Sequence, residues 1–135
     1  MKKIALLSLV GLLILVFGVV PAWTNSLPRD IPNDTTIGLW NSVNRIYTLT
    51  GDVNESIEIT QNNLTLDGAG YKITGSGSSN GVYLNQRSNV TVKNCVISKF
   101  SIGICLFIGS SNTLTNNITN NYSYGIYLIS CSSTL

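Results

Sequence analysis

The 135-residue chain contains no histidine, its single methionine is Met1, and only 10% of its residues are charged. Without histidine, the side chain most used as a general base near neutral pH is missing. No proline follows Pro32 and no acidic residue follows Asp67. The acids are Asp30, Asp34, Asp52, Glu55, Glu58 and Asp67. Glycan hydrolysis and metal-assisted chemistry need clustered carboxylates, so the second half of the chain is excluded as a source of such a centre. In the first half, Asp67 precedes Gly68 in a turn signal. Glu58 alternates with Ile57 and Ile59 and is expected on a strand's outer face. These acids read as turn and surface groups, and no catalytic residue is expected. Lys and Arg total 8 against 6 Asp and Glu. Two of the positive charges, Lys2 and Lys3, lie ahead of the first apolar run, which leaves the remainder balanced. No basic patch for nucleic acid follows from that composition.

The polarity present comes from Asn, Ser, Thr and Gly. With β-branched partners, such residues suit short strands and tight turns. The chain opens with Met1-Lys2-Lys3 and then an apolar stretch from Ile4 to Val20. Val20-Pro21-Ala22 places small residues at the −3 and −1 positions of a cleavage site. This is the layout of a secretory signal, with an uncleaved membrane anchor through residues 4–20 as the alternative. Residues 1–22 are therefore expected to be signal peptide or anchor, and the rest to lie outside the cytoplasmic membrane. Residues 23–45, with Pro28, Pro32 and Asn33-Asp34, read as a linker and N-terminal cap.

From residue 46 onward a period dominates. Gly81-Val82-Tyr83-Leu84, Gly103-Ile104-Cys105-Leu106 and Gly125-Ile126-Tyr127-Leu128 recur at 22-residue spacing. Val92, Asn94 and Val96 match Leu114, Asn116 and Ile118 at the same interval, and Leu64, Leu66 and Gly68 match Val90, Val92 and Asn94 at 26. The four extra residues are expected within Gly75–Asn80, a flexible turn sequence. Apolar residues alternate inside each repeat, so these are strands with one buried face. Stacked coils ~4.8 Å apart place equivalent residues in columns. Val82, Ile104 and Ile126 form one apolar column; Leu84, Leu106 and Leu128 a second; Leu66, Val92 and Leu114 a third. Asn94 and Asn116 are expected inside, as a ladder of amides. The glycines at 81, 103 and 125 are expected where the backbone turns tightly.

Leu64-Thr65-Leu66-Asp67-Gly68-Ala69-Gly70-Tyr71-Lys72-Ile73-Thr74-Gly75 and the later Asn-rich coil ending in Gly125-Ile126-Tyr127-Leu128 resemble the repeats of NosD-like, CASH-type β-helix proteins. The resemblance spans residues 46–135. It implies an all-β, right-handed single-stranded parallel β-helix of about four coils, of a kind common in surface proteins of archaea. It also implies a link to copper-site maturation, which the residues here do not support. Copper ligands are typically His, Cys or Met. Cys95, Cys105 and Cys131 share no column at the 22-residue register, so no stacked disulfide or two-thiol metal site is expected. The odd count leaves at least one free thiol in a monomer. No cofactor and no metal are expected.

Tyr83 and Tyr127 flank Cys105 in one outward column and are candidate sugar contacts. Asn33, Asn54, Asn63, Asn89, Asn117 and Asn121 head N-x-Ser/Thr sequons and are candidate glycan acceptors. The last residues fall where the next strand would begin, so a truncated solenoid or an end-on contact with a partner is expected. A structural or polysaccharide-binding module, extracellular or on the cell surface, is the expected role. Its expected partners are polysaccharide or another surface protein. The alternatives are a fragment of a carbohydrate-active β-helix enzyme and a copper accessory protein.

Overall fold

A computed structural model describes residues 27–135, and every regular element in that range is a β-strand. The expected signal or anchor over residues 1–22 lies outside the described residues. The strands are β1 (Arg29–Ile31), β2 (Gly38–Asn41), β3 (Ile46–Leu49), β4 (Ile57–Ile59), β5 (Thr65–Asp67) and β6 (Lys72–Thr74). They continue as β7 (Asn80–Asn85), β8 (Thr91–Lys93), β9 (Val96–Ser98), β10 (Ile102–Thr115), β11 (Ile118–Asn120) and β12 (Tyr124–Thr134). β10 and β12 each run through a corner and serve two faces.

Three parallel faces build a solenoid of about four turns. On the first face, β1, β4, β7, the start of β10 and the start of β12 pair in succession. On the second, β3, β5, β8 and the end of β10 do so. The third holds β6, β9 and β11, with Val53 bridged to Ile73 below them. Each strand therefore pairs with its equivalent one coil away, as the repeat requires. β2 departs from the pattern. It pairs antiparallel with β3, Trp40 opposite Tyr47, and so closes the lower edge of the second face against further parallel pairing.

The apolar columns form the core. Ile57, Val82 and Ile104 stack in register and are fully buried. Ile59, Leu84 and Leu106 do the same beside them. Tyr47, Leu66, Val92 and Leu114 line the second face. Each such side chain contributes roughly 1.5–3 kcal/mol on burial. Ile126 and Leu128 continue the first two columns but are only partly buried, since no coil lies above them among the described residues.

The longer second coil differs from the sequence expectation. Leu66 to Ile73 spans seven residues, against five from Val92 to Ile97 and from Leu114 to Thr119. Ile73 to Val82 spans nine, against seven from Ile97 to Ile104 and from Thr119 to Ile126. The four extra residues are thus shared equally between two corners, Gly68–Tyr71 and Gly75–Asn80. Gly70 and Gly77 adopt φ of +81° and +104° there, conformations that favour glycine.

Two further expectations are corrected. Gly81 and Gly103 are not at positive φ. A Cβ on Gly81 would lie 2.6 Å from the Gly103 carbonyl oxygen and against Ile97, so close stacking of coils demands glycine there. Asn94 and Asn116 do not form an inward ladder. They sit at a corner with φ of 55° and 54°, and Asn116 is exposed. Asn tolerates this left-handed conformation better than most residues. Gln86, Ile108 and Ser130 repeat it at another corner, as do Asn63, Asn89 and Ser111 at a third position.

The inward amides belong to other residues. Asn112 occupies the column of Leu64 and Val90, and Asn117 that of Cys95. Asn112 Oδ1 accepts the Val90 N–H at 3.0 Å, and its amide nitrogen donates to the Arg87 carbonyl at 2.8 Å. Asn117 bonds in the same way to the Cys95 N–H (3.1 Å) and the Val92 carbonyl (2.8 Å). Asn121 does so with Phe100 N–H (3.0 Å) and the Ile97 carbonyl (3.4 Å). The fourth coil thereby clasps the third at three corners. Thr119 also stands in the column of Ile73 and Ile97, so the interior becomes polar toward that end.

Candidate functional site

The first face carries the most varied outward chemistry. Alternation sends Val82, Leu84, Ile104 and Leu106 inward and their strand neighbours out. The register places Asp30, Glu58, Tyr83, Cys105 and Tyr127 in one outward column, acidic at the bottom and aromatic toward the top. The expected Tyr83–Cys105–Tyr127 arrangement is therefore present. Successive members are about 4.8 Å apart, so the tyrosines stand roughly 10 Å from one another. Between them Cys105 is only 6% exposed. Burial pushes its thiol pKa up, with a smaller push from Cys131. Burial raises the Tyr83 phenol as well, helped by Cys105 and Glu58. Tyr127 is 36% exposed, and its ring stacks on that of Tyr124 at 4.9 Å between centroids.

A second outward column runs beside the first, with Asn85, Phe107 and Ile129 in register. Asn85 Oδ1 and Arg87 Nε are buried and lack a hydrogen-bond partner. Arg87 lies just past the end of β7, beyond the corner at Gln86. Buried polar atoms are costly to leave unsatisfied. Sequence reasoning missed both. Their period-mates Phe107 and Gly109 are apolar, so nothing in the repeat marks Asn85 and Arg87 as polar positions. It also missed that Asp30 and Glu58 continue the tyrosine column, because 25- and 28-residue spacings hide the match.

Five of the six acids, all but Glu58, are committed to local structure. Thr60 donates to one Asp30 oxygen at 2.5 Å and Asn33 to the other at 3.0 Å. Arg29 pairs with Asp34 at 3.2 Å and also with Glu55. Hydrogen bonds from Thr36, then Arg29, lower the Asp34 pKa. Asp52 accepts the Lys72 N–H. Burial alone would raise Asp67, but bonds from Asn94, the Ala69 N–H and Lys93 lower it. Its ion pair with Lys93 is 3.1 Å.

The sequon asparagines divide into two sets. Asn33, Asn54, Asn63 and Asn89 are exposed, and the Asn89 amide donates to Asn63 Oδ1 at 3.1 Å. Asn117 and Asn121 are half-buried, with their amides engaged by the coil below.

The sequence profile of the family described as "Periplasmic copper-binding protein (NosD)" matches residues 24–135. The chain matches no curated protein and no solved structure. The donor set does not fit copper. The sequence has no His and no Met beyond Met1. Cys95 is fully buried, and burial pushes its pKa up to about 12. The Cys131 thiol donates to the Leu106 and Ile129 carbonyls. Among the described residues no group of three His, Cys, Asp or Glu side chains could hold a metal ion.

Proposed function

The chain belongs to the NosD family, and from that premise we propose that it is an exported, non-catalytic β-helix module whose first face binds polysaccharide. The observation that carries this reading is the outward register of Tyr83, Cys105 and Tyr127 on the first face. A tyrosine face offers a flat apolar surface with a polar rim, which suits the apolar face of a pyranose ring and its hydroxyl edge. A buried Cys105 between the tyrosines leaves a low step where a chain of rings can cross. The family's periplasmic description supports a location outside the cytoplasm, and the layout of residues 1–22 supports extracellular or cell-surface display.

Catalysis is disfavoured because both Asp30 oxygens are held by Thr60 and Asn33, which leaves Glu58 without a second free carboxylate. The copper role in the family's name is disfavoured by the donor set. Calorimetric titration of soluble oligosaccharides into the chain lacking residues 1–22 tests the proposal, with the Tyr83→Ala/Tyr127→Ala double variant alongside. The expected result is saturable binding that the double variant weakens at least about fivefold, the loss of two ring contacts worth ~0.5–1.5 kcal/mol each. Equal binding by the double variant would move the surface elsewhere. No binding to any saccharide would leave a purely structural role.

A further inference from the structure

Charge is divided along the solenoid axis. Residues 27–67 carry Arg29 and Arg45 against six acids, whereas residues 68–135 carry Lys72, Arg87, Lys93 and Lys99 with no Asp or Glu. Lys93 is neutralised by Asp67. Lys99 has no carboxylate partner among the described residues. It lies at the corner between the third and first faces, with φ of 62°. There it lines a cleft of about 360 Å³ together with Ser98, Asn120, Asn121 and Tyr122. The corner is fixed on both sides: the Lys99 N–H donates to the Asn120 carbonyl and the Lys99 carbonyl accepts the Gly77 N–H at 2.7 Å. Tyr122 is 71% exposed and Tyr124 54%. The Tyr122 ring lies over Gly77, where an added Cβ would be 3.5 Å from it, and Tyr124 stacks on Tyr127 at the start of the first face.

We propose that this cleft is an anion subsite and that the bound saccharide is a uronate, with a ring carboxylate on Lys99 and the ring against Tyr122. The inference rests on the polysaccharide reading above and specifies the ligand's class. A compact ammonium with hydroxyl and amide donors around it matches a two-oxygen anion. Lys99 carries an unopposed positive charge, since no Asp or Glu follows Asp67, and this favours an anionic over a neutral chain at the cleft. The stacked pair of Tyr124 and Tyr127 would receive the rest of the saccharide at the first face.

The test is titration of the chain lacking residues 1–22 with a mannuronate hexasaccharide and with the same hexasaccharide after reduction of its carboxyl groups. Lys99→Gln and Lys99→Arg accompany the wild type, and circular dichroism confirms that each variant is folded. The expected result is uronate binding at least about tenfold tighter than the reduced form, the size of one charge-assisted hydrogen bond. Lys99→Gln should erase that preference, Lys99→Arg should keep most of it, and added salt should weaken only uronate binding. Equal affinity for the two sugars, or a preference unaffected by Lys99→Gln, overturns the inference while leaving the polysaccharide reading standing. Failure of both sugars to bind folded wild type also overturns the inference, and the polysaccharide reading is then decided by the wider oligosaccharide titration above.

Discussion

Asn117 reaches down one coil and bonds both sides of the Cys95 corner, taking the Cys95 N–H at 3.1 Å and giving a hydrogen to the Val92 carbonyl. The two residues share a column 22 positions apart, one a thiol and the other an amide. The substitution lets the fourth coil satisfy backbone groups of the third that would otherwise be buried unpaired.

That clasp makes Asn117→Ala and Asn112→Ala destabilising. Each leaves a buried backbone donor and acceptor unmet, at a cost of about 1–3 kcal/mol. Urea unfolding followed by circular dichroism should show a lower midpoint for both. Thr115→Ala, at an exposed position on the same coil, should change the midpoint little. Similar midpoints for all three would mean the amides contribute nothing.

Position within a column should set the cost of cavities. Ile104 is fully buried between Val82 and Ile126, so Ile104→Ala should lose ~2–5 kcal/mol. Ile126, covered on one side only, should lose clearly less on the same change. The same unfolding assay compares them, and equal losses would contradict the stacking described.

Cys95 offers a chemical readout. Its thiol is inaccessible, and burial pushes its pKa up to about 12 from an ordinary 9.0. Thiolate is the reactive form, so native protein at pH 8 should leave Cys95 unalkylated by iodoacetamide while urea exposes it. Peptide mass mapping distinguishes the three cysteines. Rapid labelling of Cys95 in folded protein would contradict its placement.

The same shifts set a pH window. Cys95 and Tyr47 are acids whose folded values are raised to about 12 by burial. The folded state keeps their protons longer, so stability should fall as pH rises above the ordinary thiol value of 9.0. Asp34 and Asp67 are lowered, so their contribution is present above the ordinary 3.8 and is lost as pH falls through their folded values. Unfolding midpoints should form a plateau between these limits. Asp67→Asn should flatten the acid limb while leaving the alkaline limb in place.

Copper retention is a separate test. After incubation with copper and removal of excess, the chain lacking residues 1–22 should hold well below one copper per molecule by elemental analysis. One tightly held equivalent would show that the thiols rearrange to bind it.

The apolar columns of the later coils were legible because an unbroken 22-residue period maps directly onto register. The lower coils were harder. β1 pairs with β4 at a spacing of 28 and β4 with β7 at 25, and two corners of different length hide the equivalence. The antiparallel β2 belongs to no repeat at all. Amide direction was the other gap. An asparagine in a periodic position can face inward or occupy a left-handed corner, and the period is the same in either case. Asn94 and Asn116, expected inside, occupy the left-handed corner, and Asn112 and Asn117 turn inward instead. On the first face, Tyr83 and Tyr127 followed from strand alternation, whereas Arg87 stands outside the strand and had no pattern to reveal it.

The unequal second coil shows where added length goes. Four more residues leave Ile73 in register with Ile97 and Val82 with Ile104, because both corners absorb them outside the sheets. A guest peptide spliced between Ser76 and Ser79 would accordingly be displayed on the flank of the rod, and the strands on either side would keep their partners.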